Sequence, residues 1–242
     1  MKRVLLKIMD ALVRPFDARV VRNDSDEFRM KSALRRIVGH GVEIDTVIDI
    51  GASDGKWSLE AMEFFPGKRF FAVEPLTERE TALENLKRTR SNFDYELCVA
   101  GEIDGGAATL NVAADLDGST VGGTGGTARR VTVRTVDAMV AENGLEGPFL
   151  LKFDTHGYEL PILSGAKETL LRTNLIIMET YNFNFTDRAL RFHETCFHME
   201  KLGFRCYDLA CPMLRVHDRA FWQVDMFFCR SDSKIFAYRQ YA

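Results

Sequence analysis

Four acids and one histidine in this chain close apolar runs instead of lying among polar neighbours. Asp49 sits in Val47-Ile48-Asp49-Ile50 and Glu74 follows Phe70-Phe71-Ala72-Val73. Asp154 follows Leu150-Leu151-Lys152-Phe153, His156 comes two residues later, and Glu179 ends Ile176-Ile177-Met178. An acid at the end of a buried strand costs stability unless something satisfies it, so such positions are candidates for a ligand site. The first run continues into a glycine turn, Gly51-Ala52-Ser53-Asp54-Gly55. In open α/β sheets ligands bind at the C-terminal ends of strands, and an acid about twenty residues beyond such a turn hydrogen-bonds ribose hydroxyls. Glu74 holds that place, which points to a nucleoside-containing cofactor.

The turn narrows the choice. It lacks the G-x-G-x-x-G spacing that lets a backbone approach a pyrophosphate, and Gly55-Lys56-Trp57 completes no phosphate-binding lysine motif. Asp49 and Asp54 would repel a diphosphate and suit a ligand bearing a sulfonium and an ammonium. S-adenosylmethionine is such a ligand. On this reading Asp49 lies near its amino-acid end, and Gly51, Ala52, Ser53 and Asp54 form the turn against it. Glu74 takes the ribose, and Val99 and Ala100 flank the adenine through their backbone.

Asp154, His156 and Glu179 end neighbouring strands on the same rim, where an acceptor would meet the cofactor's methyl. Methyl transfer from a sulfonium is an in-line displacement, so alignment and exclusion of water carry much of the catalysis. A hydroxyl nucleophile still needs a base. His156 suits that task because its ordinary pKa is near neutrality; the structural alternative is a turn histidine bonded to a carbonyl. Asp154 can orient the imidazole, act as base, or touch the cofactor's ammonium. Glu159 suits the N-terminus of the helix it opens or, equally, a place supporting the site residues from behind. Asp154, His156 and Glu179 could form an oxygen-rich or mixed metal site, yet no ligand spacing demands one, so no metal ligand is assigned and metal dependence stays open. His193 and His198 are five apart on one helix, unlike the i, i+4 pair of a zinc site, and His40 and His217 fall at turns.

The elements that must position these groups read as β-α-β-α-β at first, the pattern of a parallel sheet. Strands are expected at 45–50, 68–73 and 95–100, with helices at 56–65 and 78–88. Paired strands at 108–112 and 130–134 flank a glycine-rich loop, 115–127, which is expected to be a lid or a linker. Helix 136–142, strand 149–154 beside the first strand, helix 159–172, strand 175–180, helix 187–202 and a closing hairpin at 204–209 and 221–229 follow. Upstream, residues 1–13 form an amphipathic helix, and Asp24 with Glu27 offers a capping box for a helix ending near Val38. The expected architecture is Rossmann-like, with a mixed seven-stranded sheet and a C-terminal antiparallel hairpin. Residues 1–44 are read as a helical extension, 45–230 as the catalytic domain and 231–242 as a tail.

With 242 residues and 46% apolar content the chain can bury a substantial core. A net charge of −3 argues against a partner held by phosphate contacts, so no nucleic acid is expected. Five scattered cysteines without C-x-x-C read as reduced thiols in a cytoplasmic protein. No segment has the apolar length to span a bilayer. The amphipathic residues 1–14 are read as a helix packed on the domain or on a second copy, and their basic side chains leave room for weak contact with a membrane surface.

Four segments resemble the FkbM family of class I S-adenosylmethionine-dependent methyltransferases. They are Val47-Ile48-Asp49-Ile50-Gly51-Ala52-Ser53-Asp54-Gly55, Phe71-Ala72-Val73-Glu74-Pro75, Val131-Thr132-Val133-Arg134-Thr135-Val136-Asp137 and Lys152-Phe153-Asp154-Thr155-His156-Gly157-Tyr158-Glu159. Their order and spacing fit from about residue 45 to 230. The family's pattern near the fourth strand is aspartate, any residue, glutamate, glycine; His156 stands in the glutamate's place. The resemblance implies O-methylation of a hydroxyl on a sugar, glycan or small natural product. An N- or RNA methyltransferase, or a nicotinamide-dependent oxidoreductase on a similar sheet, is the competing reading.

Overall fold

The computed structural model describes residues 9, 11–16, 27–123, 125–184 and 186–241. Asp24 and most of the first amphipathic segment lie outside them. In chain order the strands are β1 (Thr46–Ile50), β2 (Arg69–Val73), β3 (Phe93–Glu96), β4 (Val99–Ala100), β5 (Ala107–Val112), β6 (Thr120–Val121), β7 (Thr127–Arg134), β8 (Phe149–Phe153), β9 (Thr173–Tyr181), β10 (Phe204–Leu214) and β11 (Phe221–Arg230). The helices are α1 (Met30–Gly39), α2 (Lys56–Ala61), α3 (Glu80–Thr89), α4 (Val136–Glu142), α5 (Glu159–Ser164), α6 (Lys167–Leu171) and α7 (Phe192–Lys201).

A seven-stranded sheet runs β10-β11-β9-β8-β1-β2-β3. β3, β2, β1, β8 and β9 are parallel, while β11 joins β9 antiparallel and β10 closes the expected hairpin. Both faces of the parallel strands are covered, so their sequences are apolar almost throughout. Ile48, Ile50, Phe71, Val73, Leu151 and Phe153 face Val136, Met139 and Ile162 from α4 and α5. Val47, Phe70, Ala72 and Leu150 face Ala33, Leu34 and Ile37 of α1 and Leu83 of α3. The helix at 30–39 is therefore built into the core beneath the sheet.

Three elements differ from the sequence reading. The strand expected at 95–100 is two strands in different sheets: β3 pairs with β2, whereas β4 pairs parallel with β7. The chain changes sheet at Leu97-Cys98, and Arg134 at the end of β7 ties the layers by bonding Glu96 (2.8 Å) and Asp104 (2.9 Å). The helix expected at 159–172 breaks into α5 and α6 at Gly165. There the backbone packs so closely on Gly101 that a Cβ would lie 2.0 Å from its carbonyl oxygen. The helix expected from 187 begins at Phe192, where the Glu194 carboxylate accepts from the Arg191 backbone N–H at 2.9 Å. The loop 115–127 is partly ordered by β6, which pairs antiparallel with β5. β4, β7, β5 and β6 make a second, four-stranded sheet over the C-terminal rim of the first.

Candidate functional site

The rim between β1 and β8 opens into a cavity of about 390 Å³, within the range of small-molecule sites. Gly51 turns the chain at φ +79°, and a Cβ there would lie 1.9 Å from the Asp154 carbonyl oxygen. The ends of β1 and β8 can thus meet only through a glycine. Gly51 and Ala52 donate their N–H groups to the Val73 carbonyl at 2.9 and 3.2 Å, which draws the end of β2 to the turn. Ser53 then donates its N–H to Glu74 Oε2 at 2.7 Å, and Leu76 donates to Oε1 at 2.9 Å. Two backbone amides fix the Glu74 carboxylate, and its remaining lone pairs are open to further donors such as vicinal hydroxyls. Burial nonetheless raises its pKa against those two bonds.

Of the eight residues expected to hold the cofactor, Gly51, Ser53, Glu74, Val99 and Ala100 line the cavity; Asp49, Ala52 and Asp54 do not. Alternation along β1 explains Asp49: Ile50 faces the cavity side and Asp49 the opposite one. There it accepts from Ser58 Oγ at 2.7 Å, and burial, opposed by Lys152, pushes its pKa up to about 6. Asp54 pairs with Lys56 at the surface.

Asp154, His156 and Glu179 do come together at the far end of the cavity. His156 Nε2 lies 3.3 Å from Asp154 Oδ1 and 3.7 Å from Glu179 Oε1. Its Nδ1 faces the Ser119 carbonyl at 3.2 Å, so that nitrogen carries a proton. The ring owes its position to a left-handed backbone at His156 (φ +52°) and Gly157 (φ +94°), unusual for a residue with a Cβ. Glu159 Oε1 holds this turn by accepting from the Gly157 N–H at 2.9 Å and Thr155 Oγ1 at 3.0 Å. Of the two roles read from sequence for Glu159, these bonds match the support of the site residues.

The charges respond to one another. Burial raises Asp154, but the Lys152 ammonium and His156 outweigh it and hold the carboxyl well below the usual carboxylate range. Burial disfavours the His156 cation, yet the bond to Asp154 and the charge of Glu179 push its pKa up to about 9. Burial, reinforced by the Asp154 charge, pushes Glu179 up to about 7.

Sequence reasoning missed several groups here. Lys152 is 3% exposed, and its Nζ lies 3.1 Å from Asp154 Oδ2; a lysine inside an apolar strand was the available signal. Tyr181 Oη donates to Glu179, and Gln223 Nε2 donates to Glu179 Oε2 at 2.7 Å. Tyr158 and Ile162 line the cavity from the turn and helix after β8. The glycine-rich segment forms its roof through Leu116, Asp117, Ser119, Thr120 and Val121. Ser53 Oγ donates to Asp117 Oδ1 at 3.1 Å, and Thr120 Oγ1 donates to the His156 carbonyl at 3.0 Å. The loop therefore touches both ends of the site. All five cysteines are free, and among the described residues no helix is long and apolar enough to cross a membrane.

Across residues 49–206 the chain matches the model of the methyltransferase FkbM domain. No protein with curated annotation matches it. Among solved structures it is similar to 1,6-didemethyltoxoflavin-N1-methyltransferase of Burkholderia thailandensis, with bound 1,6-didemethyltoxoflavin and S-adenosylhomocysteine. The identity is 16%, over 96% of this chain and 90% of that one, at a TM-score of 0.46. Magnesium protoporphyrin IX methyltransferase of Synechocystis, with bound SAM, is 9% identical over 93% and 97% of the two chains at 0.47. Precorrin-6y C5,15-methyltransferase of Geobacter metallireducens is 13% identical over 86% and 96% at 0.45.

Proposed function

Because the chain belongs to the FkbM methyltransferase domain family, we propose that it methylates a hydroxyl of a sugar, a glycan or a small natural product. S-adenosylmethionine supplies an electrophilic methyl: an O–C bond forms, the C–S bond breaks, and the bonding pair stays on sulfur. Glu74 accepts from the ribose hydroxyls, held for this by the Ser53 and Leu76 amides. Gly51 gives the ligand close approach to the backbone, and Val99 and Ala100 bound the adenine end. The observation that carries the reading is one continuous cavity, with Glu74 at one end and Asp154, His156 and Glu179 at the other.

At that second end the acceptor hydroxyl lies against two carboxylates and an imidazole. Its proton passes to Glu179, the carboxylate pushed up to about 7, as the oxygen attacks. The Asp154–His156 pair orients the hydroxyl, in place of the base role read for His156 from sequence. The roof residues 116–121 shield the reacting atoms from water, which strengthens every charge interaction beneath them. Free cysteines support a reducing, cytoplasmic setting. Residues 45–230 are proposed as the catalytic unit, with the helix at 30–39 packed on it.

Incubation with methyl-labelled S-adenosylmethionine and pools of glycans, lipids and small metabolites should yield a product heavier by one CH2, with the label on oxygen. Calorimetry should show S-adenosylhomocysteine binding and no NAD binding; the reverse would move the chain to nicotinamide chemistry. His156→Ala should cut turnover while leaving S-adenosylhomocysteine affinity nearly intact. Unchanged turnover would remove His156 from the mechanism.

A further inference from the structure

We propose that Asp154 Oδ1, His156 Nε2 and Glu179 Oε1 form a divalent-cation site whose remaining coordination positions face the cavity. The sequence left a metal at these residues open, because they sit on two strand ends without ligand spacing. The fold brings one ligand atom from each within 4.8 Å of the others. With Nδ1 protonated toward the Ser119 carbonyl, Nε2 points its lone pair at two carboxylate oxygens, at 3.3 and 3.7 Å. Three electron-pair donors turned on one point need a positive charge between them. A proton on Nε2 is one solution and a metal ion is the other.

Two features favour the ion. Each donor is oriented from behind by a group outside the cluster: Ser119 O holds His156, Lys152 holds Asp154 Oδ2, and Gln223 holds Glu179 Oε2. Metal-ligating histidines and carboxylates are held in this manner. The surroundings are also acidic, since a further carboxylate, Asp225, lines the adjoining pocket with Lys152 and Asp154. One imidazole and two carboxylates suit a first-row ion such as Mn²⁺ or Zn²⁺ better than Ca²⁺. Three protein ligands leave open positions, as in catalytic rather than structural metal sites.

The role of the ion rests on the methyltransferase reading and sharpens its substrate. An acceptor with two adjacent hydroxyls can chelate the ion, which orients one oxygen toward the methyl and makes it more acidic. A lone hydroxyl gains less. The preferred acceptor class is therefore a vicinal diol, as a sugar ring presents.

Mn²⁺ titration of chelator-treated protein, followed by electron paramagnetic resonance, should show one saturable site. Glu179→Gln should weaken it at least tenfold. Gln223→Leu, which touches no ion, should weaken it about tenfold or more and guards against a folding defect in the first variant. Mn²⁺ should also broaden the His156 Nε2 resonance selectively. No saturable binding at millimolar Mn²⁺, or binding untouched by both substitutions, overturns the proposal. S-adenosylhomocysteine calorimetry without metal separates the failures: if the nucleoside binds and Mn²⁺ does not, only the ion site is lost.

Discussion

The two ends of this cavity, proposed above as the donor end and the acceptor end, are built in opposite ways. At the donor end the contacts are backbone: Gly51, Ser53 and Leu76 supply amides or space, and a single carboxylate, Glu74, completes the set. They come from two adjacent parallel strands and the turns after them. At the acceptor end the contacts are side chains recruited from far apart. Ser119 reaches His156 across 37 positions, and Gln223 reaches Glu179 across 44. A backbone-built site has no spare atoms and should fail outright when one is added. A side-chain network should degrade in steps.

Gly51→Ala is the sharpest break. The new methyl would overlap the Asp154 carbonyl at 1.9 Å in a backbone conformation with φ +79°. Both the strain and the forced separation of β1 from β8 act, so a loss of more than about 3 kcal/mol is expected. Thermal unfolding should fall sharply, and calorimetry should detect no S-adenosylhomocysteine binding. Wild-type binding in this variant would show that the two strand ends do not meet through this glycine.

Glu74→Gln tests the one side chain at the donor end. Gln keeps one acceptor oxygen but cannot accept from Ser53 and Leu76 together with two hydroxyls. Charged hydrogen bonds of this kind are worth about 1.5–3 kcal/mol, so the dissociation constant for S-adenosylhomocysteine should rise roughly 10- to 100-fold. The variant should bind adenine alone as the wild type does. Equal loss for both ligands would mean that the pocket, not the ribose contact, had been damaged.

Asp49 separates a donor ligand from a support beneath the donor. Its folded pKa of about 6 exceeds the usual unfolded value of about 3.9. The folded state therefore binds more protons between these values, and stability falls as pH rises through them. Asp49→Asn keeps an acceptor for Ser58 and removes the titration. Relative to the variant, the wild type should lose about 1–1.5 kcal/mol between pH 5 and pH 7.5 in urea unfolding. A fall in cofactor affinity with no change in this pH dependence would return Asp49 to the donor site.

The same contrast decides what was legible in the sequence. The donor end was readable because its physics is local. A strand, a glycine turn and an acid at fixed distance are neighbours in sequence, and the parallel order of β1, β2 and β8 follows from apolar runs covered on both faces. Even there the alternation of side chains along β1 was overlooked, and it turns Asp49 away from the cavity. At the acceptor end Asp154, His156 and Glu179 were legible as strand-terminal polar residues, but their partners were not. No local pattern announces that Gln223 on the antiparallel strand β11 will hold Glu179, or that Ser119 will face His156. The split of residues 95–100 between two sheets has the same origin, since Arg134, 38 positions beyond Glu96, sits where the chain divides.

The smallest expected effect is at Thr120, where the roof meets the acceptor end. Thr120→Val is close to isosteric and keeps a β-branched residue in β6, so the pairing with Leu110 and Asn111 should survive. What it removes is the Oγ1–H donated to the His156 carbonyl at 3.0 Å. That bond helps hold the left-handed turn that aims the imidazole, and one neutral hydrogen bond contributes about 1 kcal/mol. If half or more of it goes into positioning, kcat/KM for the acceptor falls about two- to fivefold. S-adenosylhomocysteine affinity should stay within twofold of wild type, because Glu74 and Gly51 lie at the other end of the cavity. Joint loss of turnover and cofactor affinity would show that the roof acts through Asp117 and Ser53 on the donor, and the division into two independently built ends would fail at their shared loop.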